Sequence, residues 1–395
     1  MGSRVPLRIV AVLFLLLGSL AFFPTSGSSP PDFGQPLSGL ASDQSARFDA
    51  GKDDFTEVET IEEGLGPVFN DVSCATCHSS PVVGGGSDRL ETRFGRLRRD
   101  GTFNPLSQFG GSLIQEQGIG ATGACDYLAE TVPPEATIVA KRRTTPLFGL
   151  GLVDAVPDAV FQQIAFSERF DPDRAGGVVS VVTNLATGLP SVGKFGWKGQ
   201  NPTLFQFAGD AYVNEMGVTN PQFPDENCPG GDCASLSCNP VPTVNDDGSG
   251  VQAFTDFMTY LAPPPRGPIP GAAILGEHQF DSIGCTSCHL ATMRTGKSAV
   301  AALNQVTFHP YSDFLLHDMG SLGDGITQNQ ATGRLMRTAP LWGVRKLTTY
   351  LHDGRATTLT QAILAHDGQA RRSRDRFLRL SSFEKAQLLA FLNSL

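Results

Sequence analysis

The sequence predicts a mainly α-helical protein with long loops, arranged as two tandem helical halves. Three observations carry this reading. A five-residue C-x-x-C-H unit occurs twice, at Cys74–His78 and Cys285–His289. Each half closes on an apolar stripe at i, i+3, i+4, i+7: Phe254, Phe257, Met258 and Leu261 in the first, Leu388, Phe391, Leu392 and Leu395 in the second. Between them runs Ala262–Gly271 (APPPRGPIPG), a stiff Pro-rich connector.

Taken in order, residues 1–30 read as an export signal, with Arg4 and Arg8 ahead of the apolar run Ile9–Phe23. That run is shorter than the roughly 20 residues a membrane span needs. Cleavage is expected over retention as an anchor, giving a periplasmic or otherwise exported protein with no membrane segment beyond the signal. The first half covers 40–261. Its interior, about 82–245, is rich in Gly and turn residues and predicts mostly loops, a few helices and a small hairpin, with short apolar runs such as Gly177–Val182. The second half covers 272–395, and its last helix starts at the capping box Ser381–Glu384. The approaches to the two motifs, FNDVSCATCH and FDSIGCTSCH, align without a gap and pair Phe69 with Phe280 and Val72 with Ile283.

The 395 residues are 40% hydrophobic and 17% charged, which excludes disorder of the whole chain and allows two ordinary domains. A net charge of −9 argues against nucleic acid, whose phosphates need clustered Lys and Arg. The charge is uneven: residues 1–264 carry 16 Lys/Arg against 30 Asp/Glu, and 265–395 carry 14 against 9. Two solvated surfaces of different sign are the simpler account. An acidic face for a cationic partner, with a basic half that neutralises an anionic cofactor, is the sharper one.

Four of the eight cysteines lie outside the C-x-x-C-H units: Cys125, Cys228, Cys233 and Cys238. In an exported chain these predict disulfides. If all four pair, one bond lies within 228–238 and the other ties that loop to Cys125; the spacing does not choose among the three connectivities.

The repeated motif is the chemistry of c-type haem attachment. Two thiols add across porphyrin vinyl groups, and the His directly after the second Cys turns onto the iron. A thioredoxin-like pair would need a βαβ setting, and a zinc site a further Cys/His pair nearby. The sequence therefore predicts two covalent haem c groups, held by Cys74, Cys77 and His78 and by Cys285, Cys288 and His289.

The remaining axial position on each iron decides between electron transfer and catalysis. His78 is the one histidine before residue 278, so the first haem has Met216 as its candidate sixth ligand, or none. Met258 belongs to the apolar stripe, where packing is its role. For the second haem, the segment His309–Gly325 offers Met319 in an Asp-Met-Gly turn, with His317 as rival and His309 as a loop-orienting side chain.

The arrangement of C-x-x-C-H, HPYSDFLLHDMG, RTAPLWG, YLHDGRATTL and a closing LLAFL helix resembles the bacterial di-haem oxidoreductases, relatives of di-haem cytochrome c peroxidases that are also labelled thiol-oxidoreductase-like. The match runs over about Gly64–Leu395. The resemblance implies two tandem cytochrome c-like domains, each with one covalent haem, and Met319 where the peroxidases place the Met of their high-potential haem. It implies a supporting role for His352, Asp353 and Arg355 beside that haem, and an electron relay at Trp197, while Trp342 packs beside the second haem. The distal Gln and Glu of the peroxidases have Gln115, Glu116 and Glu215 as candidates here. A redox partner protein or small donor, and peroxide as substrate, are implied in turn. The alternatives are a non-catalytic di-haem electron carrier, which needs Met216 on the first iron, and an oxidase of a partner protein. The acidic stretch 171–177 (DPDRAGG) lacks the oxygen-ligand spacing of a calcium loop, so Ca²⁺ has no clear motif.

Overall fold

Glycine sets the geometry of both helix pairs. In chain order the helices are α1 (Ser42–Thr56), α2 (Cys74–Cys77), α3 (Leu150–Asp154), α4 (Asp158–Glu168), α5 (Leu204–Met216), α6 (Ser249–Tyr260), α7 (Gly271–Ser282), α8 (Leu359–Ala365), α9 (Arg371–Arg379) and α10 (Ser382–Leu392). Helix α1 packs on α6 and α7 on α10. A Cβ at Gly51 would stand 2.2 Å from the Ala253 carbonyl oxygen, and one at Gly276 would stand 1.9 Å from that of Gln387. Only glycine lets each pair approach backbone to backbone. Four residues on, Phe55 and Phe280 set their rings 5.9 and 6.1 Å from those of His78 and His289.

This corrects the pairing of flanks. Phe280 lies on α7, which leads straight into Cys285, whereas Phe69 lies in the short strand Val68–Phe69, paired with Gln117–Gly118. The structural counterpart of Phe280 is Phe55.

The computed structural model describes residues 30–171, 175–241 and 243–395. The export segment lies outside the described residues apart from Pro30, and DPDRAGG lies partly outside them. Among the described residues no helix is long and apolar enough to cross a membrane.

The apolar stripes are buried as their period requires. Phe254, Phe257, Met258 and Leu261 join one core with Phe55, Phe148 and Phe161, while Leu388, Phe391, Leu392 and Leu395 join a second with Phe280, Tyr311 and Phe377. The start of α10 is the expected capping box, with Ser381 N–H donating to Glu384 Oε2 at 2.8 Å and Glu384 N–H to Ser381 Oγ at 3.3 Å.

The interior of the first half is more regular than a loop reading allows. Leu90–Leu97 is the central strand of a three-stranded sheet between Phe103–Asn104 and Ile138–Arg143, with Leu90 opposite Arg143 and Gly95 opposite Ile138. Two hairpins follow, Gly120–Thr122 with Cys125–Tyr127 and Ser180–Asn184 with Leu189–Gly193. Arg93 and Arg142 within Leu90–Leu97 and Ile138–Arg143 mask the strand signal, because they are held by Glu91 and Asp324 rather than solvated. The disulfides are Cys228–Cys233, inside the loop, and Cys125–Cys238, which ties it to the second strand of the first hairpin.

Candidate functional site

Each C-x-x-C-H unit forms a wall of its own cavity. Cys74, Cys77 and His78 line the first with Met216, Met258, Glu215, Glu91, Arg89, Arg93, Arg142 and Tyr212. Cys285, Cys288 and His289 line the second with Met319, Met336, Trp342, His352, His366 and Arg337. The four motif cysteines are free thiols, while the other four are all in disulfides.

The state of these groups suits a porphyrin and not thiol exchange. Burial pushes Cys74 and Cys285 up to about 12 and Cys77 to about 11. A redox C-x-x-C pair needs the opposite, a depressed thiol pKa. Burial holds His78 down to about 4, against the pull of the Gly85 and Thr145 carbonyls, and His289 likewise to about 4. Both rings are therefore neutral, as metal ligation requires. The His78 Nδ1 pairs with the Gly85 carbonyl at 3.0 Å and the His289 Nδ1 with that of Tyr311 at 2.9 Å, which leaves each Nε2 for an iron. Arg143 Nε is buried without a partner, and Arg143 lines both cavities. An anionic propionate would satisfy it, so the residues present fit a haem.

The partition between the cavities is one short set of residues. Arg143, Thr144, Thr145, Gly196, Trp197 and Phe207 line both. Trp197 Nε1 donates to the Arg143 carbonyl at 2.9 Å, and its ring meets His352 edge-on at 6.2 Å. The adjacent Lys198 is fully buried and donates through Nζ to the Thr332 and Leu335 carbonyls while pairing with Asp324 at 2.8 Å. Asp324 also accepts from Arg142 Nε at 2.8 Å. Burial raises a carboxyl, yet these two cations hold Asp324 below its usual range.

Two carboxyls in the first cavity have opposite character. Burial first, then the negative charge of Glu91, lifts Glu215 to about 7. Glu91 is half-buried, and Arg93 donates to it twice, at 2.9 and 3.1 Å, and holds it low. Asn70 Nδ2 donates to Glu215 Oε2 at 2.8 Å. Of the other expected distal residues, Glu116 lines this cavity but Gln115 does not: its Nε2 is turned to the Asn214 carbonyl at 2.8 Å.

Met216 is buried at the end of α5, with its sulfur 3.9 Å from Cys74 Sγ. Met319 is half-buried in the second cavity. Its rival His317 has both nitrogens engaged, Nε2 with Asp313 at 2.9 Å and Nδ1 with Cys288 Sγ at 3.5 Å. His309 is exposed and bonds Thr292 at 3.1 Å. His352 lines the second cavity, while Arg355 is exposed, pairs with Asp353 and lines neither. Arg89, Arg93, Arg142, Arg143, Arg337 and Arg374 are the guanidinium groups at cavity walls. The sequence reading also passed over Glu91 and His366. No local signal marks Glu91, an acid in an ordinary strand; His366 had only the His that ends the apolar run AILAH.

The profile of the family described as "Di-haem oxidoreductase, putative peroxidase" matches residues 127–395, which include the second motif and begin after the first. No curated protein matches. Among solved structures the chain is similar to hydrazine synthase of Kuenenia stuttgartiensis (15% identity, 99% of this chain and 100% of that chain, TM-score 0.40). It is similar also to a MauG-like protein associated with microbial copper homeostasis (15%, 95% and 95%, 0.41) and to the diheme peroxidase BthA from Burkholderia thailandensis (14%, 93% and 89%, 0.40).

Proposed function

This chain belongs to the di-haem oxidoreductase family, and on that premise we propose that it is a periplasmic peroxidase, drawing electrons from an external donor to reduce a peroxide to water. In this reading Cys74, Cys77 and His78 hold one haem c and Cys285, Cys288 and His289 the other, in tandem cytochrome c-like domains. When bound, the haems would supply one-electron redox chemistry and, at the first, the place where peroxide is reduced.

The observation that carries the reading is the inequality of the two cavities. Among the described residues lining the first, His78 is the one histidine, and a pair of carboxyls with separated acidities stands in the same space. Such separation is how one site supplies both proton acceptor and fixed charge near neutral pH. Glu215 would take the proton from the peroxide O–H and return it to the leaving oxygen, which departs as water when the O–O bond breaks; two electrons from the donor and two further protons would carry the remaining oxygen to a second water. Arg93 keeps Glu91 ionised, and Asn70 orients Glu215. The partition that holds Trp197 is the relay between the two cavities.

Met216 bears on the alternative of a non-catalytic carrier. Its contact with Cys74 Sγ and its place in the core favour packing against the attached edge of the porphyrin over ligation. The test is the spectrum of the oxidised, purified protein with and without hydrogen peroxide. A high-spin component that peroxide removes, retained in Met216→Ala, is expected. Wholly low-spin haems that peroxide leaves unchanged would overturn the reading.

A further inference from the structure

The second cavity contains a histidine that faces His289. The rings of His289 and His366 stand 6.5 Å apart, inclined at 55°. An imidazole nitrogen binds a first-row metal such as zinc at about 2.0–2.1 Å, and its ring centre lies about 1 Å further out, so two rings on opposite sides of one metal stand about 6 Å apart. Both histidines are also preset in the same tautomer. His366 Nδ1 pairs with the Ala362 carbonyl at 2.7 Å, as His289 Nδ1 does with that of Tyr311, so both leave Nε2 uncommitted. Histidines that bind metals are oriented by this kind of second hydrogen bond.

We infer that His366, in place of Met319, is the sixth ligand of the haem at Cys285–His289, so that this iron is held between two imidazoles. The inference rests on the reading that a haem occupies this cavity. His366 follows α8 directly, whose start is fixed by the Thr358 side chain accepting from Gln361 N–H. Its own carbonyl accepts from Arg374 at 3.1 Å, and the next residue, Asp367, accepts from Ser321 Oγ at 2.8 Å and Arg371 Nε at 2.8 Å. The ring is thus mounted on a braced turn. Met319 reaches the same wall from the neighbouring loop: a Cβ at Gly368 would lie 2.8 Å from the Met319 carbonyl carbon. Both side chains line this cavity, and it is His366 whose ring stands at 6.5 Å from that of His289. His317 is excluded by its two engaged nitrogens, and His352 is turned to Trp197.

The assignment has a redox consequence, because a Met ligand raises the potential of a c-type haem. The experiment compares full-length holoprotein with His366→Ala, His366→Met and Met319→Leu by electron paramagnetic resonance, near-infrared absorption and potentiometry. Denatured mass counts the attached haems in each. The wild type should show no thioether-to-iron charge-transfer band. His366→Ala should turn one low-spin haem high-spin while both haems stay attached. His366→Met should stay low-spin, gain the charge-transfer band and titrate at a higher potential. Met319→Leu should leave the low-spin signal unchanged. A wild-type charge-transfer band abolished by Met319→Leu would overturn the inference, as would an unchanged low-spin signal in His366→Ala. Peroxide turnover, measured on the same wild-type sample, tests the peroxidase reading separately: its absence alongside the expected His366 spectra would remove that reading and leave the ligand assignment standing.

Discussion

Trp197 hands its indole N–H to the Arg143 carbonyl at 2.9 Å, and both residues border both cavities. The ring is therefore fixed by a backbone group of the same partition, with Lys198 and Asp324 buried behind it. Replacing Trp197 by Phe keeps a ring but removes the donor, leaving the Arg143 carbonyl short of a partner. That should cost about 1–3 kcal/mol of stability. If the partition is the relay, the variant should also slow electron exchange between the haems while leaving their static spectra in place. Stopped-flow reduction with a one-electron donor checks this, and an unchanged exchange rate would remove Trp197 from the route.

Glu215 gives a pH signature of known sign. Its folded pKa, about 7, lies above the ordinary 4.5. The native state therefore holds its proton more tightly than the unfolded chain does, so its contribution to stability is complete below about 4.5 and is lost as pH rises through about 7. Glu215→Gln should flatten that part of the stability profile in denaturant titrations. As a proton acceptor Glu215 works ionised, so peroxide turnover should climb through the same pH range, and the Gln variant should lose roughly 10²–10⁴ of the rate. A wild-type rate flat from acid to neutral pH would contradict the assignment.

Asp324 stands between two buried cations, Arg142 and Lys198. Asp324→Asn would leave Lys198 without a counter-charge and Arg142 with only the more distant Glu91 at 3.9 Å, which costs about 3–5 kcal/mol for a broken buried pair. Thermal unfolding of the holoprotein measures it. Because Lys198 adjoins Trp197, the fluorescence of the variant should change as well.

Gly51 and Gly276 are contact points rather than hinges. Gly276→Ala should destabilise by about 1–3 kcal/mol, the usual range for forcing a methyl into a filled space. Gly51→Ala should behave alike at the first pair. A neutral effect on chemical denaturation at both sites would mean that the helices separate more easily than their backbone contact implies.

The Cys125–Cys238 disulfide closes 113 residues of chain, including the segment that forms the partition. Cys125→Ser with Cys238→Ser should lower unfolding free energy by about 2–5 kcal/mol, mainly by freeing the unfolded state. The denatured mass should still report two haems, since neither cysteine touches a C-x-x-C-H unit.

What was legible in the sequence was what is local in the chain. The C-x-x-C-H units, the stripes ending at Leu261 and Leu395 and the Ser381–Glu384 cap each need only a few neighbouring residues to declare themselves. The pairing of Phe69 with Phe280 misled because similar letters flank both motifs, whereas the geometry is shared by Gly51-x3-Phe55 and Gly276-x3-Phe280, which sit at different distances from their cysteines. The Glu91–Glu215 pair was not legible, because a strand and a helix far apart in the chain bring those carboxyls together. Met319 drew attention as a thioether in a tight polar turn, while the orientation of His366 depends on a carbonyl one helical turn back.

The wall that both cavities share has a consequence for dissection of the molecule. The Pro-rich stretch Ala262–Gly271 invites a cut, yet Arg143, Leu150, Phe195 and Trp197 from before that cut enclose the second cavity. A fragment starting at residue 272 would keep the thiols and the imidazoles and forfeit one side of the chamber, admitting water to a centre that the intact chain keeps covered. The second chamber is in this sense completed by the first half, and a change to the shared wall reaches both cavities at once.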